Sequence, residues 1–314
     1  MSNPLLSRRQ FNGLWLTLGA SLSPLGAMIA TLSPAPARAA IPTVKFRDGT
    51  SVTALGQGSA GLGQGRHPQA AEEEALRTGV SLGMNLIDTA EMYGGGRSEK
   101  LIGGVISGQR DRAFLVSKVS PNHVASDGIA RACDASLARL GTDHLDLYLL
   151  HWPSRDADLS SIVGGFERLR AAGKIRAWGV SNFTVSDMED LFRVPYGDRC
   201  ATNQVAYNLG NRGIERDLLP WCEQHGMPVM AYSPLGGTGA SLLRDATLAR
   251  IGAAHNCSAA AVALAWTIRK GNVIAIPESG SAEHVRENAV ALSLTLTTDD
   301  LHALDIAYPP RSRS

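Results

Sequence analysis

After Pro42 the chain settles into short apolar runs alternating with longer amphipathic segments, the pattern of successive βα units. The apolar runs predict eight strands, over Leu55–Gly58, Asn85–Asp88, Phe114–Lys118, Leu145–His151, Arg176–Val180, Thr202–Val205, Val229–Tyr232 and Val273–Ile276. Between them, apolar positions recur every three or four residues. They predict helices over Ala70–Leu82, Asp127–Leu140, Ile162–Ala172 and Ala259–Lys270, with Leu76, Val80 and Met84 forming one such stripe. A hairpin comes first: Thr43–Phe46 and Ser51–Thr53 flank Arg47-Asp48-Gly49-Thr50, whose Asp-Gly pair favours a tight turn. Eight strand–helix repeats with right-handed crossovers close most economically into an α/β fold, a (β/α)8 TIM barrel with an N-terminal β-hairpin. A doubly wound open sheet is the second arrangement the pattern allows.

Composition changes this picture little. At 314 residues the length alone suggests two domains, but a barrel of this type takes about 250 residues as one. The net charge of +1 and the lack of Lys/Arg runs interleaved with aromatics exclude a nucleic-acid grip. Cys133, Cys200, Cys222 and Cys257 are widely spaced and match no metal-site pattern. They read as buried free thiols, and no metal is expected.

The first residues are of another kind. Ser7-Arg8-Arg9-Gln10-Phe11 precedes a stretch with no charge until Arg38, and Ala37-Arg38-Ala39 has the small-x-small pattern of a signal peptidase site. Residues 1–39 are therefore expected to be a twin-arginine (Tat) signal peptide, with residues 40–314 as the mature domain. The uncharged stretch is long enough to span a bilayer, but its Gly, Ser, Thr and Pro content favours a cleaved leader over an anchor. Its removal leaves 27 basic and 29 acidic residues, a mildly acidic domain. The expected location is the periplasm, reached through the Tat export machinery, with the cytoplasm the alternative if the signal is not used.

Gly56-Gln57-Gly58-Ser59-Ala60-Gly61 fits a dinucleotide fingerprint after a strand. No helix starts there, since Gly63, Gly65 and Pro68 follow, and no suitably placed lone acid stands ready for a ribose. The segment reads as a βα loop. The stronger signal lies at the C-terminal ends of consecutive strands, where a barrel places its chemistry. Asp88 ends the second strand, Tyr93 follows in the next loop, Lys118 ends the third strand and His151 the fourth. Singly, each has a dull explanation: a helix cap, a turn aromatic, a solvated lysine. Jointly, capping and solvation do not explain four ionisable groups on one rim.

At this point the chain resembles the aldo-keto reductase family over nearly all of residues 43–307. The resemblance also rests on Gly179-Val180-Ser181-Asn182-Phe183, Asn203-Gln204-Val205, Ala231-Tyr232-Ser233-Pro234-Leu235, and Ile276-Pro277 followed by Glu287-Asn288. It implies an NAD(P)-dependent carbonyl reductase in which Ser181, Asn182 and Gln204 hold the nicotinamide carboxamide and Tyr232 stacks on its ring. Ser233, Leu235 and Ser279 would face the phosphates. Where many members have Lys and Arg for the 2′-phosphate of NADP, this chain has Glu278 and His284. A carboxylate repels phosphate and accepts a hydrogen bond from a free ribose hydroxyl, so NAD(H) is the favoured cofactor and NADP(H) the alternative. Arg286 leaves some positive charge nearby.

Charge gives the expected mechanism. Hydride arriving at a carbonyl carbon drives negative charge onto oxygen, which needs a proton from a nearby acid. Tyr93 is the candidate acid, Lys118 is expected to lower its pKa, Asp88 to orient Lys118, and His151 to hydrogen-bond the substrate oxygen. Trp152 and the 236–243 segment would border an open pocket for a small aldehyde, ketone, α-dicarbonyl or sugar, in a protein expected to act as a monomer. Two other readings use the same fold: a nucleotide-binding regulatory subunit and a non-catalytic periplasmic binding barrel.

Overall fold

The computed structural model describes residues 41–125, 127–154, 158–237 and 241–310; the expected leader and its Ala37-Arg38-Ala39 site lie outside the described residues. Strands β1 (Thr43–Lys45) and β2 (Ser51–Thr53) pair antiparallel as the expected hairpin. Its turn closes by Phe46 N–H donating to the Thr50 carbonyl at 2.8 Å, with Gly49 at φ 93°, a value glycine adopts without steric cost.

Eight parallel strands follow: β3 (Gln57–Gly58), β4 (Leu86–Asp88), β5 (Phe114–Val119), β6 (Leu145–Leu150), β7 (Ile175–Ser181), β8 (Asn203–Ala206), β9 (Val229–Tyr232) and β10 (Val273–Ala275). Each pairs with its neighbour in chain order. The ring closes between first and last, where Gly56 N–H donates to the Ala275 carbonyl and Gly58 N–H to that of Pro277. A closed barrel, not an open sheet, is the result. β3 is shorter than its apolar run because Leu55 makes only an isolated bridge, to Ala275.

The intervening helices include α1 (Gln69–Ser81), α2 (Arg97–Ile106), α3 (Gly128–Leu140), α4 (Leu159–Ala171), α5 (Val185–Arg193), α6 (Leu218–Gln224), α7 (Ala246–Ala254), α8 (Ala259–Ile268), α9 (Ala282–Ala289) and α10 (Thr298–Ala307). Several start at side-chain caps that the sequence supplies. Thr184 with Asp187, and Thr297 with Asp300, form capping boxes on α5 and α10. Met84 departs from the expected stripe: α1 ends at Ser81, and Gly83 at φ 94° turns the chain, so Met84 enters the core beyond the helix.

Strand alternation divides the core in two. Leu86, Val116, Leu147, Leu149, Met230 and Ile274 fill the barrel interior, while Ile87, Leu115, Tyr148, Leu150 and Trp178 pack outward against the helices. The hairpin covers the end at which the strands begin, Phe46 stacking on Phe114 with ring centroids 5.6 Å apart. The opposite end is left for chemistry. By the same alternation, Asp88 follows Leu86, Lys118 follows Val116, and His151 follows Leu149 to that inward-facing rim.

Candidate active site

Lys118 is wholly buried, an arrangement that needs a paired charge. Its Nζ donates to Asp88 Oδ2 at 2.6 Å, to the Thr89 carbonyl at 2.9 Å and to Tyr93 Oη at 3.2 Å. Three acceptors meet its three donors. Asp88 has its other oxygen occupied by Gln204 Nε2 at 2.7 Å. Burial alone would lower the Lys118 pKa, but the Asp88 carboxylate and the Tyr93 oxygen outweigh it and raise the value, so the ammonium is permanent at neutral pH.

Tyr93 departs from expectation. Burial pushes its phenol above the ordinary value, with the Lys118 ammonium opposing this only in part and the Asp88 carboxylate adding to the rise. Lys118 therefore offsets the desolvation of a phenol that stays protonated, instead of making it unusually acidic. His151 stands edge-on to Tyr93, ring centroids 5.6 Å apart. Burial and then the Lys118 charge press its pKa down to about 3, so the imidazole is neutral at pH 7. Its Nδ1 is buried without a partner.

These groups lie at one end of a cavity of about 720 Å³, within the range of small-ligand sites. Every residue nominated from sequence lines it except Lys118, which lies beneath Asp88 and Tyr93: Asp88, Tyr93, His151, Trp152, Ser181, Asn182, Gln204, Tyr232, Ser233, Leu235, Glu278, Ser279, His284, Glu287 and Asn288. Of the 236–243 segment, Gly237 and Leu243 line the cavity, and residues 238–240 lie outside the described residues. Arg286 is exposed and does not contribute to the lining. Cys133, Cys200 and Cys222 are buried free thiols as expected, whereas Cys257 is partly exposed.

The floor is built from the ends of β7, β8 and β9. Asn182 Nδ2 donates to Ser181 Oγ and to the His151 carbonyl, its Oδ1 accepts from Tyr232 Oη at 2.9 Å, and Ser181 Oγ donates to the Gln204 carbonyl. Asn182 at φ 63° and Ser233 at φ 50° occupy left-handed backbone unusual for side-chain-bearing residues. Asn208 Nδ2 holds the strained turn by donating to the Ser233 carbonyl at 2.9 Å.

Sequence reasoning missed several contributors. Gly58 at the end of β3, and Ser59, Ala60 and Gly61 in the loop after it, dismissed as a Rossmann fingerprint, line the cavity. A Cβ on Gly58 would come within 2.8 Å of the Ile276 carbonyl, so that close approach requires glycine. Ser59 Oγ donates to the Asp88 carbonyl, and Ser98 Oγ bonds Ser59 in turn, a buried knot behind the rim that carries Asp88. The serine pair had no pattern to mark it, since its contacts span 29 and 39 residues.

The cavity fits an extended dinucleotide. Amide and hydroxyl groups lie near a buried acid-and-cation pair, the aromatic Tyr232 forms one wall, and a helix N-terminus, that of α9, stands at the far end with Ser281 as its cap. The model of the aldo/keto reductase family matches residues 54–309. This chain belongs to the aldo/keto reductase family. It is an oxidoreductase that reduces aldehyde or ketone groups. The reductase is 49% identical over 269 residues to the methylglyoxal reductase YeaE of Escherichia coli, covering 85% of this chain and 94% of that one. It is 32% identical over 266 residues to a glyoxal reductase of Bacillus subtilis, 84% of this chain and 91% of the other. An aldo/keto reductase from Klebsiella pneumoniae, solved with NADP and acetate, superimposes with a TM-score of 0.84 at 46% identity, over 87% of this reductase and 98% of that chain.

The expected preference for NAD(H) gains no support. Glu278, on which it rests, has one carboxylate oxygen accepting from Gly61 N–H at 2.6 Å and the other facing Arg66 at 3.9 Å. Its charge is partly answered within the protein, and a structure of the Klebsiella pneumoniae enzyme holds NADPH.

Proposed function

We propose that this reductase uses NADPH to reduce small α-oxoaldehydes of the methylglyoxal type, with Tyr93 as the proton donor. The observation that carries the reading is the Tyr93 hydroxyl beside the Lys118 ammonium, at the closed end of a cavity sized for a nucleotide. The relatives named for methylglyoxal and glyoxal reduction support the substrate class, and the neighbour holding NADP supports the cofactor.

The nicotinamide, when bound, supplies hydride to the carbonyl carbon. The protein supplies the rest. Ser181, Asn182 and Gln204 would hold the carboxamide and Tyr232 the ring face, while Ser233, Leu235 and Ser279 face the phosphates. As negative charge grows on the substrate oxygen, Tyr93 gives up its proton there and Lys118 stabilises the phenolate left behind. Neutral His151 orients the carbonyl through a ring nitrogen, and the half-exposed Trp152 forms an apolar wall at the mouth. Every group comes from one chain, so a monomer suffices.

The test is a panel of methylglyoxal, simple aldehydes, ketones and sugars, run with NADPH and NADH. Methylglyoxal-dependent consumption of NADPH is expected. No turnover with any carbonyl would favour the regulatory or binding-barrel reading, against which the complete set of Asp88, Tyr93, Lys118 and His151 stands. We also propose that residues 1–39 direct export of the folded enzyme, a reading supported by the Arg8-Arg9 pair and the small-residue site before Ala40.

A further inference from the structure

The loop from Ser59 to Pro68, between β3 and α1, lies beside the segment that follows β10, where Gly58 already bridges Glu278, and it is held there by carboxylates. Gly61 N–H donates to Glu278, and Gly63 N–H donates to the buried Glu72 at 2.8 Å. His67 packs so closely on Gly280 that a Cβ at that position would lie 2.4 Å from the imidazole. Because α1 packs against α9, the loop entering α1 is brought beside the start of α9. Arg66 sits on this loop, its side chain 67% exposed and its guanidinium 3.9 Å from Glu278.

Among the described residues lining the cavity, Arg66 is the sole Arg or Lys. The far end otherwise offers two carboxylates, Glu278 and Glu287, with His284. A phosphate monoester carries nearly two negative charges at neutral pH and would be repelled by that pair unless a cation intervened. Guanidinium is suited to the task, being permanently charged and able to bind phosphate through two parallel hydrogen bonds. We propose that Arg66 is the cation that receives the ribose 2′-phosphate of NADPH, and that Glu278 keeps its loop within reach. The charge absent from position 278 thus comes from the adjacent β3–α1 loop. Glu278 is a brake on affinity as well as a tether, because its carboxylate competes with phosphate for Arg66.

This inference rests on the reading that the cavity takes NADPH, and binding without turnover separates the two. Dissociation constants for NADPH and NADH are measured by quenching of tryptophan fluorescence for wild type, Arg66→Ala, Arg66→Lys and Glu278→Gln, with circular dichroism confirming the fold of each. Arg66→Ala should weaken NADPH by about tenfold or more, equivalent to about 1.4 kcal/mol, with NADH changed by less than about threefold. Arg66→Lys should recover part of the loss. Glu278→Gln, which keeps an acceptor for Gly61, should tighten NADPH and leave NADH nearly as it was. Equal weakening of both nucleotides by Arg66→Ala would overturn the assignment by placing Arg66 on a group they share, as would no weakening of either. A wild type that binds neither nucleotide would remove the cofactor reading and this inference together.

Discussion

The ammonium of Lys118 lies 2.6 Å from a carboxylate oxygen of Asp88, and neither side chain is more than 3% exposed. Such a pair contributes little net stability, since desolvation consumes most of the attraction, but removing one member leaves a bare charge in the core. Lys118→Met should therefore destabilise the fold by about 3–5 kcal/mol. The double change Lys118→Met with Asp88→Asn should recover much of that. Urea unfolding of the three proteins checks it, and a single variant as stable as wild type would mean that water reaches the pair.

Tyr93→Phe removes the proposed acid while keeping the ring against His151 and Lys118. Turnover of methylglyoxal should fall by at least about a hundredfold, the ordinary scale of general acid catalysis. NADPH affinity should stay within about twofold, a difference of less than 0.5 kcal/mol. Near wild-type turnover would take the proton-donor role from Tyr93.

Much of this arrangement was legible because strand alternation is a local code. Placing Leu86, Val116 and Leu149 inward forces Asp88, Lys118 and His151 onto the same face, one step further along each strand. What could not be read depends on distant partners. Glu278 looked like a ribose acceptor until Gly61, 217 residues away, was found to occupy it, and no motif singled out Arg66, whose place beside Glu278 depends on the same long-range contact. The direction of the Tyr93 shift was misread for a similar reason: the Lys118 charge is visible in sequence, whereas the depth of burial that outweighs it is not.

His151 gives the pH dependence its sign. Its pKa is about 3 in the fold against 6.5 for the free side chain, so between these values the unfolded chain binds a proton that the native state refuses. The associated stability is complete above about pH 6.5 and is lost as pH falls toward about 3. At pH 5 the cost should be about 2 kcal/mol, from 1.4 kcal/mol for each unit below 6.5. His151→Gln should lose correspondingly less between pH 7 and pH 5 in parallel urea titrations. The rate profile follows the same logic: with His151 neutral and Tyr93 protonated, reduction should show no inflection near pH 6.5. An inflection there, vanishing in His151→Gln, would show that the imidazole titrates normally.

Export makes the final prediction, and the thiols give it physical content. Thiolate is the form that oxidants attack. Burial pushes Cys133, Cys200 and Cys222 up to about 12, leaving partly exposed Cys257 as the accessible sulfur. A barrel folded before transport would carry three inert thiols into an oxidising compartment, whereas a chain threaded unfolded would present all four together. Folding first also allows NADPH to leave the cytoplasm already bound, which requires slow dissociation, since the bound form is favoured only while free nucleotide exceeds its dissociation constant. Fractionated cells should yield a periplasmic protein beginning near Ala40 with every thiol reduced. A maleimide reagent should label Cys257 fast in the native state and all four cysteines only after denaturation, and acid should release near-stoichiometric nicotinamide nucleotide. Full-length protein confined to the cytoplasm would overturn the leader reading, scrambled disulfides in the periplasmic fraction would overturn folding before export, and mature protein empty of nucleotide would overturn co-transport.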